Sequence, residues 1–130
     1  MEKRGRHFVL VHGATLGAWC WYKVAPLLEA VGHKVTSLDM AASGIHPKQH
    51  YEVTSFSEYI EPLTQFMKDL PSDSEERVIL VGHSAGGGCI SAAMENFPDK
   101  VSVGVFAAAM MPGPNLSFAA LTKELDEFVL

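Results

Sequence analysis

Short apolar runs alternate along this chain with segments whose apolar residues recur at helical spacing. Nearly continuous apolar runs of this length are typical of strands that are buried on both faces of a sheet. Four such strands are predicted, over residues 7–12, 34–38, 77–82 and 101–107. Three helices are predicted between them, over residues 21–31, 56–68 and 85–96. The order β-α-β-α-β-α-β predicts an α/β fold with a mostly parallel sheet and helices on both faces.

Local signals support these boundaries. Gly32 follows the first helical pattern as a stop signal, and Ser55-x-x-Glu58 has the spacing of a capping box before the second. Pro62 lies inside that second pattern, although proline is tolerated mainly in the first turn of a helix. A long loop is predicted over residues 39–51 and an acidic turn over residues 71–76. Loops as long as the first tend to be functional in compact domains.

The end of the sequence carries a further helical pattern. It follows Pro112-Gly113-Pro114, and its apolar members are Phe118, Leu121, Leu125, Phe128 and Val129. Because the pattern runs up to the last residue, we expect the 130 residues to be the N-terminal part of a longer single domain.

Composition narrows the function. The chain is 48% hydrophobic and 19% charged, with a net charge of −5, so it has no basic face for nucleic acid. No run reaches the roughly 20 apolar residues of a membrane span, and the apolar run after the basic N-terminus is too short for a signal peptide. Cys20 and Cys89 form no disulfide framework and are expected to be free thiols. We therefore expect a cytoplasmic protein without a membrane or nucleic-acid partner.

A serine nucleophile is predicted from Gly82-His83-Ser84-Ala85-Gly86, which joins a predicted strand to a predicted helix. A tight turn of this kind lifts a serine hydroxyl away from the backbone, and the small residues around Ser84 make the turn possible. The alternative is that Ser84 caps a helix in a nucleotide-binding sheet. Neither G-x-G-x-x-G after the first strand nor G-x-x-x-x-G-K-[ST] is present, so Ser84 is the candidate nucleophile.

A second motif, His12-Gly13-Ala14, ends the first strand. Acyl transfer develops negative charge on the carbonyl oxygen, which backbone N–H groups must stabilise. We assign these donors to the N–H groups of Ala14 and of Ala85, the residue after the nucleophile. Gly13 and Gly86 allow close backbone approach, and His12 and His83 shape the pocket. The alternative for this motif is an ordinary strand-to-helix loop.

Other reactive or aromatic side chains are weaker candidates. No histidine is a convincing general base, and Asp39 precedes the serine, which is the wrong order for this kind of triad. We expect surface or loop positions for His7, His33, His46 and His50, and a loop role for Asp39. Trp19, Trp21 and Tyr22 either line an acyl pocket or pack a helix onto the sheet, and Met94, Met110 and Met111 are expected in the core. No metal cluster or cofactor motif appears.

These motifs resemble those of the plant methylesterase family of the α/β-hydrolase superfamily, which also contains hydroxynitrile lyases. The resemblance spans almost the whole chain. The segments that carry it are VLVHG at 9–13, GAWCWYK at 17–23, LDMAASG at 38–44, VGHSAGG at 81–87 and PDKV at 98–101. It implies an α/β-hydrolase fold, a helical cap beginning at about residues 113–130, and a cytosolic serine esterase of about twice this length.

The resemblance also implies substrates and alternatives. Its members cleave methyl esters of small hormone acids such as salicylate, jasmonate and indole-acetate, need no cofactor, and can form homodimers. A threonine after the first-strand histidine serves cyanohydrin cleavage, whereas this chain has Gly13, which favours an esterase over a lyase. Leu16 and Ala85 depart from the usual residues. The catalytic aspartate and histidine lie beyond this sequence, so we expect an inactive fragment, with a non-catalytic hormone- or partner-binding isoform as a further alternative.

Overall fold

Four parallel strands form one sheet in a computed structural model that describes residues 5–72 and 76–129, the last six as backbone only. In chain order the strands are β1 (His7–Val11), β2 (Lys34–Leu38), β3 (Val78–Ser84) and β4 (Val101–Ala109). Their order across the sheet is β2-β1-β3-β4. The predicted α/β class and parallel sheet are confirmed.

The last two strands extend two residues further than predicted. His83 pairs with Ala107 and Ser84 with Ala109, with an irregularity in the ladder between the two pairs. The sequence signal ends earlier because small and polar residues replace the apolar run there. The extension carries β3 and β4 up to the predicted nucleophile.

The first predicted helix, over residues 21–31, is wrong in its extent. A 3₁₀ turn covers Ala18–Trp21, and the α-helix α1 covers only Val24–Ala30. The N–H of Tyr22 donates to the carbonyl of Trp19 at 3.2 Å, which closes the 3₁₀ turn before the helix begins. Apolar spacing alone does not separate these two helical forms.

The second predicted helix consists of two helices, α2 (Phe56–Tyr59) and α3 (Glu61–Asp69). Pro62 lies at the start of α3, where its missing N–H costs nothing. The capping prediction holds in part, because Ser55 Oγ accepts from the Glu58 N–H at 3.1 Å. The Glu58 carboxylate accepts from the N–H and hydroxyl of Thr54 rather than from the N–H of Ser55, and these bonds lower its pKa.

The helices lie on both faces for a topological reason. The step from β1 to β2 runs toward one edge of the sheet, whereas the later steps run toward the other. Because such crossovers are right-handed, α1 lies on the opposite face from α3 and from α4 (Gly86–Asn96). Consistent with this, α1 packs on β2, and α4 packs on α3 and the central strands.

The core lies between the sheet and the α3–α4 layer. Fully buried side chains there include Val9, Val11, Leu63, Met67, Leu80 and Ile90. The opposite face is covered unevenly. Leu10 on β1 is fully buried, but Val103 and Val105 on β4 are 51% and 39% exposed. Leu10 and Val105 flank Val81 in one row of that face, so coverage ends toward β4.

The predicted C-terminal helix is observed as α5 (Phe118–Val129). Within the predicted acidic turn, residues 73–75 lie outside the described residues. Of the three methionines expected in the core, Met94 packs against it, but Met111 is 60% exposed and that prediction is wrong. Among the described residues, no helix is long and apolar enough to cross a membrane.

Candidate active site

Ser84 ends β3 in a strained backbone conformation. Its φ is +54°, in the left-handed region that side-chain-bearing residues rarely adopt. Its carbonyl accepts from the Met110 N–H at 3.0 Å, and α4 begins two residues later at Gly86. The chain therefore turns sharply from strand to helix at the predicted nucleophile.

Close backbone contacts explain the glycines around this turn. A Cβ atom built on Gly82 would lie 2.5 Å from the Gly86 carbonyl oxygen, and one built on Gly86 would lie 2.5 Å from the Val11 carbonyl oxygen. Real Cβ atoms do not come this close, and backbone atoms cannot move aside as a flexible side chain would. The start of α4 is thus pressed against the ends of β3 and β1.

The same packing brings the first motif to the serine. A Cβ on Gly13 would lie 3.1 Å from Ser84 Cβ and 3.3 Å from the His83 carbonyl oxygen. The segments containing Gly13 and Ser84, far apart in sequence, are therefore in direct contact at the carboxyl end of the sheet. Such ends are where parallel α/β sheets bind ligands.

The two predicted oxyanion donors flank this contact. Ala14 follows Gly13, and Ala85 follows Ser84 and precedes α4. Across the described part of the chain, neither the Ala14 N–H nor the Ala85 N–H donates a hydrogen bond to another protein group. Both N–H groups therefore remain without a protein acceptor, as an oxyanion donor requires.

Neither nearby histidine is placed as a base for Ser84. The Nδ1–H of His83 donates to the Ala107 carbonyl at 3.0 Å. His12 is fully buried and bonded through both ring nitrogens to backbone groups of Gly13 and Met40. Within residues 5–72 and 76–129, Ser84 Oγ has no hydrogen bond to any histidine.

The Asp39 side chain links the loops that follow β1 and β2 by hydrogen bonds. Its carboxylate accepts from the Ala18 N–H at 2.7 Å and from the Ile45 N–H at 3.3 Å. Gly44 passes so near this carboxylate, with φ +56°, that a Cβ there would overlap it. The expected loop role of Asp39 is confirmed, and the reason is a tertiary contact.

An open cavity of about 370 Å³ lies between these two loops. Its lining residues are Ala14, Thr15, Leu16, Ala41, Ala42, Ser43, Gly44, His50, Val53 and Tyr59. Sequence reasoning identified Ala14 and the unusual Leu16 but missed Ser43, Val53 and Tyr59. Ser43 belongs to the LDMAASG segment and Tyr59 to the helical pattern over residues 56–68, but neither signal predicts a position beside the first loop.

The remaining histidines take part in local structure. His7 lies in β1 and bonds Thr36 Oγ1 through Nε2 at 2.7 Å, while His33 Nδ1 accepts from the Arg6 N–H at 2.9 Å. His46 Nδ1 accepts from backbone N–H groups of its own loop. His50 is exposed at the rim of the cavity.

The aromatic cluster divides between packing and exposure. Trp21 is buried, whereas Trp19 and Tyr22 are 60% and 67% exposed, and none of the three lines the cavity beside Ala14. Of the two roles predicted for these aromatic residues, Trp21 therefore has the packing role and not that of lining an acyl pocket.

Both cysteines are free thiols, as predicted. Burial raises the pKa of the Cys89 thiol to about 12 and also raises that of Cys20, so neither is an activated nucleophile. In the portion of the chain that is described, no three His, Cys, Asp or Glu side chains are grouped to hold a metal ion.

Comparison with known proteins connects this geometry to a family. The profile of the alpha/beta hydrolase family matches residues 8–128. Methyl jasmonate esterase 1 of Vitis vinifera is 55% identical over 127 residues, covering 98% of this chain and 48% of that protein. Polyneuridine aldehyde esterase of Rauvolfia serpentina is 54% identical over 125 residues, covering 96% and 47%.

A solved structure agrees with these relatives. Tomato methylketone synthase I complexed with 2-tridecanone superposes with a TM-score of 0.92 at 50% identity, covering 98% of this chain and 49% of that one. The resemblance to plant methylesterases is confirmed. The chain spans about half the length of the curated relatives that it matches.

Proposed function

The chain belongs to the alpha/beta hydrolase family, and on that premise we propose that it carries the nucleophile and the oxyanion-binding groups of a serine carboxylic ester hydrolase. Ser84 is the nucleophile, and the N–H groups of Ala14 and Ala85 bind the oxyanion. The observation that carries the proposal is the contact between Gly13 and Ser84, because Ala14 follows the first of these residues and Ala85 follows the second.

The proposed chemistry is acyl transfer in two steps. Ser84 Oγ attacks the ester carbonyl carbon, its proton passes to a base, and the carbonyl oxygen becomes an oxyanion held by the two N–H groups. The intermediate collapses with loss of the alcohol, and water then releases the acid from the acylated serine. Gly82 and Gly86 keep the turn tight, while His12, Gly13 and His83 shape its surroundings.

The base is the missing part of this scheme. Because no described histidine hydrogen-bonds to Ser84 Oγ, we expect these 130 residues alone to acylate slowly. A histidine oriented by a carboxylate would have to come from residues outside this sequence. One good oxyanion donor contributes about 10²–10³ in rate, so some serine-dependent reaction should remain.

Methyl esters of small hormone acids are the proposed substrates. The methyl jasmonate esterase and the Arabidopsis thaliana methylesterases 1 and 2 are named for related reactions, and the cavity beside Ala14 is lined mainly by small and apolar residues. Salicylate, jasmonate and indole-acetate methyl esters are the candidates to assay.

Two alternatives are weaker. A hydroxynitrile lyase would carry a threonine at position 13, but a Cβ there would already be crowded by Ser84. A non-catalytic hormone- or partner-binding role would leave the strained conformation of Ser84 without a purpose.

The wider setting of the chain is proposed on the same resemblance. Residues 1–130 form the N-terminal part of one α/β-hydrolase domain, and the cap begins at about residues 113–130. The protein acts on small molecules in the cytoplasm without a cofactor and forms a homodimer.

Chemical rescue tests the function. The folded chain is incubated with p-nitrophenyl acetate and increasing imidazole, which supplies an external base, and acetylation of Ser84 is measured by mass spectrometry. We expect acetylated Ser84 to increase with imidazole in the parent chain, and no acetylation of residue 84 in the Ser84→Ala variant. Equal acetylation of surface lysines in both proteins, with none on Ser84, would refute the nucleophile assignment.

A further inference from the structure

His12 is a buried titratable side chain that the proposed ester hydrolysis uses neither as acid nor as base. It follows β1 directly, has no exposed surface and precedes Gly13, the residue in contact with Ser84. A fully buried imidazole requires partners for both ring nitrogens. Its partners determine which nitrogen carries the proton.

One partner fixes the tautomer. The Met40 N–H donates to His12 Nε2 at 3.0 Å, and since a backbone N–H can only donate, Nε2 must be the unprotonated nitrogen. The proton of the neutral ring is therefore on Nδ1. From there it is donated to the Gly13 carbonyl at 2.7 Å.

The bonded carbonyl fixes the direction of a catalytic donor. The Gly13 carbonyl and the Ala14 N–H belong to one planar trans peptide unit, so they point in opposite directions. The same oxygen also accepts from the Leu16 N–H at 3.2 Å. The peptide cannot rotate and turn the Ala14 N–H away without breaking both hydrogen bonds.

The loop needs such a support because its conformation is strained. Thr15, the next residue, has φ +70°, which costs a side-chain-bearing residue about 1–2 kcal/mol. Ala14 and Thr15 are also exposed, so packing holds them weakly. The contacts of Gly13 must keep the loop in this shape.

We propose that His12 is a positioning residue for the oxyanion site: its Nδ1–H holds the Gly13 carbonyl and thereby aims the Ala14 N–H toward the oxyanion beside Ser84. Met40, fully buried just after β2, holds the ring in this orientation. The inference rests on the proposed function, because it assigns a purpose to the donor named there.

The tautomer is the first test. Side-chain nitrogen chemical shifts of His12 in the ¹⁵N-labelled chain are measured and are assigned by their loss in His12→Asn. We expect the Nδ1–H form, whereas an imidazole free in water favours Nε2–H. An Nε2–H ring in the folded chain, with folding established by the dispersion of its amide resonances, would overturn the proposal.

Two substitutions of His12 each retain one of its two hydrogen bonds and remove the other. The side-chain amide of His12→Asn can replace Nδ1 as the donor to Gly13, whereas the amide oxygen of His12→Gln can replace Nε2 as the acceptor from Met40. Both variants remove the imidazole. Only the asparagine variant should keep the Ala14 amide resonance close to its parent position.

Binding of a transition-state mimic tests whether His12 affects the oxyanion site. Phenylboronic acid accepts a lone pair of Ser84 Oγ to form an O–B bond, and the hydroxyl proton passes to water, which leaves a tetrahedral anion beside the oxyanion donors. We expect binding to weaken by about tenfold or more in His12→Gln and by no more than about threefold in His12→Asn. Equal weakening in both variants would mean that His12 only fills space, and would overturn the proposal.

The two proposals fail in different ways. If the parent chain and Ser84→Ala bind phenylboronic acid equally, the serine esterase assignment fails, yet the tautomer and the Ala14 amide still decide the role of His12. If Ser84 forms the adduct but His12 is in the Nε2–H form, the esterase stands and the positioning role falls.

Discussion

At the scale of single residues, backbone strain is concentrated at one edge of the sheet. The described non-glycine residues with positive φ are Thr15, Ala42, Ser84 and Ala108, at +70°, +61°, +54° and +46°. Each lies within four residues of the carboxyl end of a different strand. Strain of this kind costs about 1–3 kcal/mol a residue and persists where the surrounding structure imposes it. Its location coincides with the proposed site.

Relief of this strain at Ser84, the proposed nucleophile, should stabilise the chain. Glycine adopts positive φ without a steric cost, so Ser84→Gly should have a free energy of unfolding about 1 kcal/mol higher than Ser84→Ala, which keeps the strained Cβ. Urea denaturation of both variants measures the difference, and neither should be acetylated at residue 84. Equal stability of the two variants would argue against strain at this position.

His7 should make stability depend on pH. Burial, and then the charge of Lys34, lower its pKa from the ordinary 6.5, so the unfolded chain takes up this proton more readily than the folded one. The contribution of His7 is complete above about pH 6.5 and is lost as the pH falls below that value. The free energy of unfolding, measured by urea denaturation across this range, should decline less in His7→Gln. An equal decline in the parent chain and in His7→Gln would contradict this contribution.

At the scale of elements, the crossing of β3, α4 and β1 determines the site. Gly86→Ala should destabilise the chain by about 3 kcal/mol or more, because its Cβ would meet the Val11 carbonyl oxygen at 2.5 Å. Gly113→Ala is the matched control, since a Cβ there meets no atom within 4 Å. Thermal and urea unfolding of both variants provide the comparison, and a similar loss in both would contradict the tight crossing.

The elements themselves were predictable to the extent that their signals are local. Apolar runs located all four strands, and Gly82 and Gly86 located the turn around Ser84. The break between α2 and α3 was marked by Pro62 but could not be placed at Ile60 from spacing alone. The Glu58 carboxylate took the neighbouring Thr54 as its partner, a choice that depends on side-chain rotamers and not on sequence spacing.

At the scale of the whole molecule, the long-range contacts were not predicted from the sequence. The bond from Ala18 to Asp39 and that from Met40 to His12 join loops that become neighbours only when β1 and β2 pair. The cavity beside Ala14 depends on the same pairing and also on the position of Tyr59. No local pattern encodes such contacts, so the sequence predicted candidate site residues but not the long-range contacts that hold them in place.

The sheet face opposite α3 and α4, which is left uncovered at β4, should bind apolar molecules nonspecifically. Parallel sheets are normally covered on both faces, but Val103 and Val105 remain exposed on β4. The double variant Val103→Lys with Val105→Lys should bind less of an apolar fluorescent dye and should associate less at high concentration. Ser57→Lys with Gln65→Lys adds the same charge at exposed positions of α2 and α3 and should leave both readings unchanged. An undiminished dye signal in the β4 variant would place the apolar surface elsewhere.

The strand order also governs how fast this chain can fold. β1 is made first, yet its two neighbours are β2 and the much later β3, so on a ribosome one side of β1 waits unpaired until α3 and β3 have emerged. Every strand pair is parallel and non-local, and such contacts carry a loop-closure cost that slows folding. The contact between Gly13 and Ser84 forms with the pairing of β1 and β3, so a nascent chain acquires the geometry of the proposed site in a single late step.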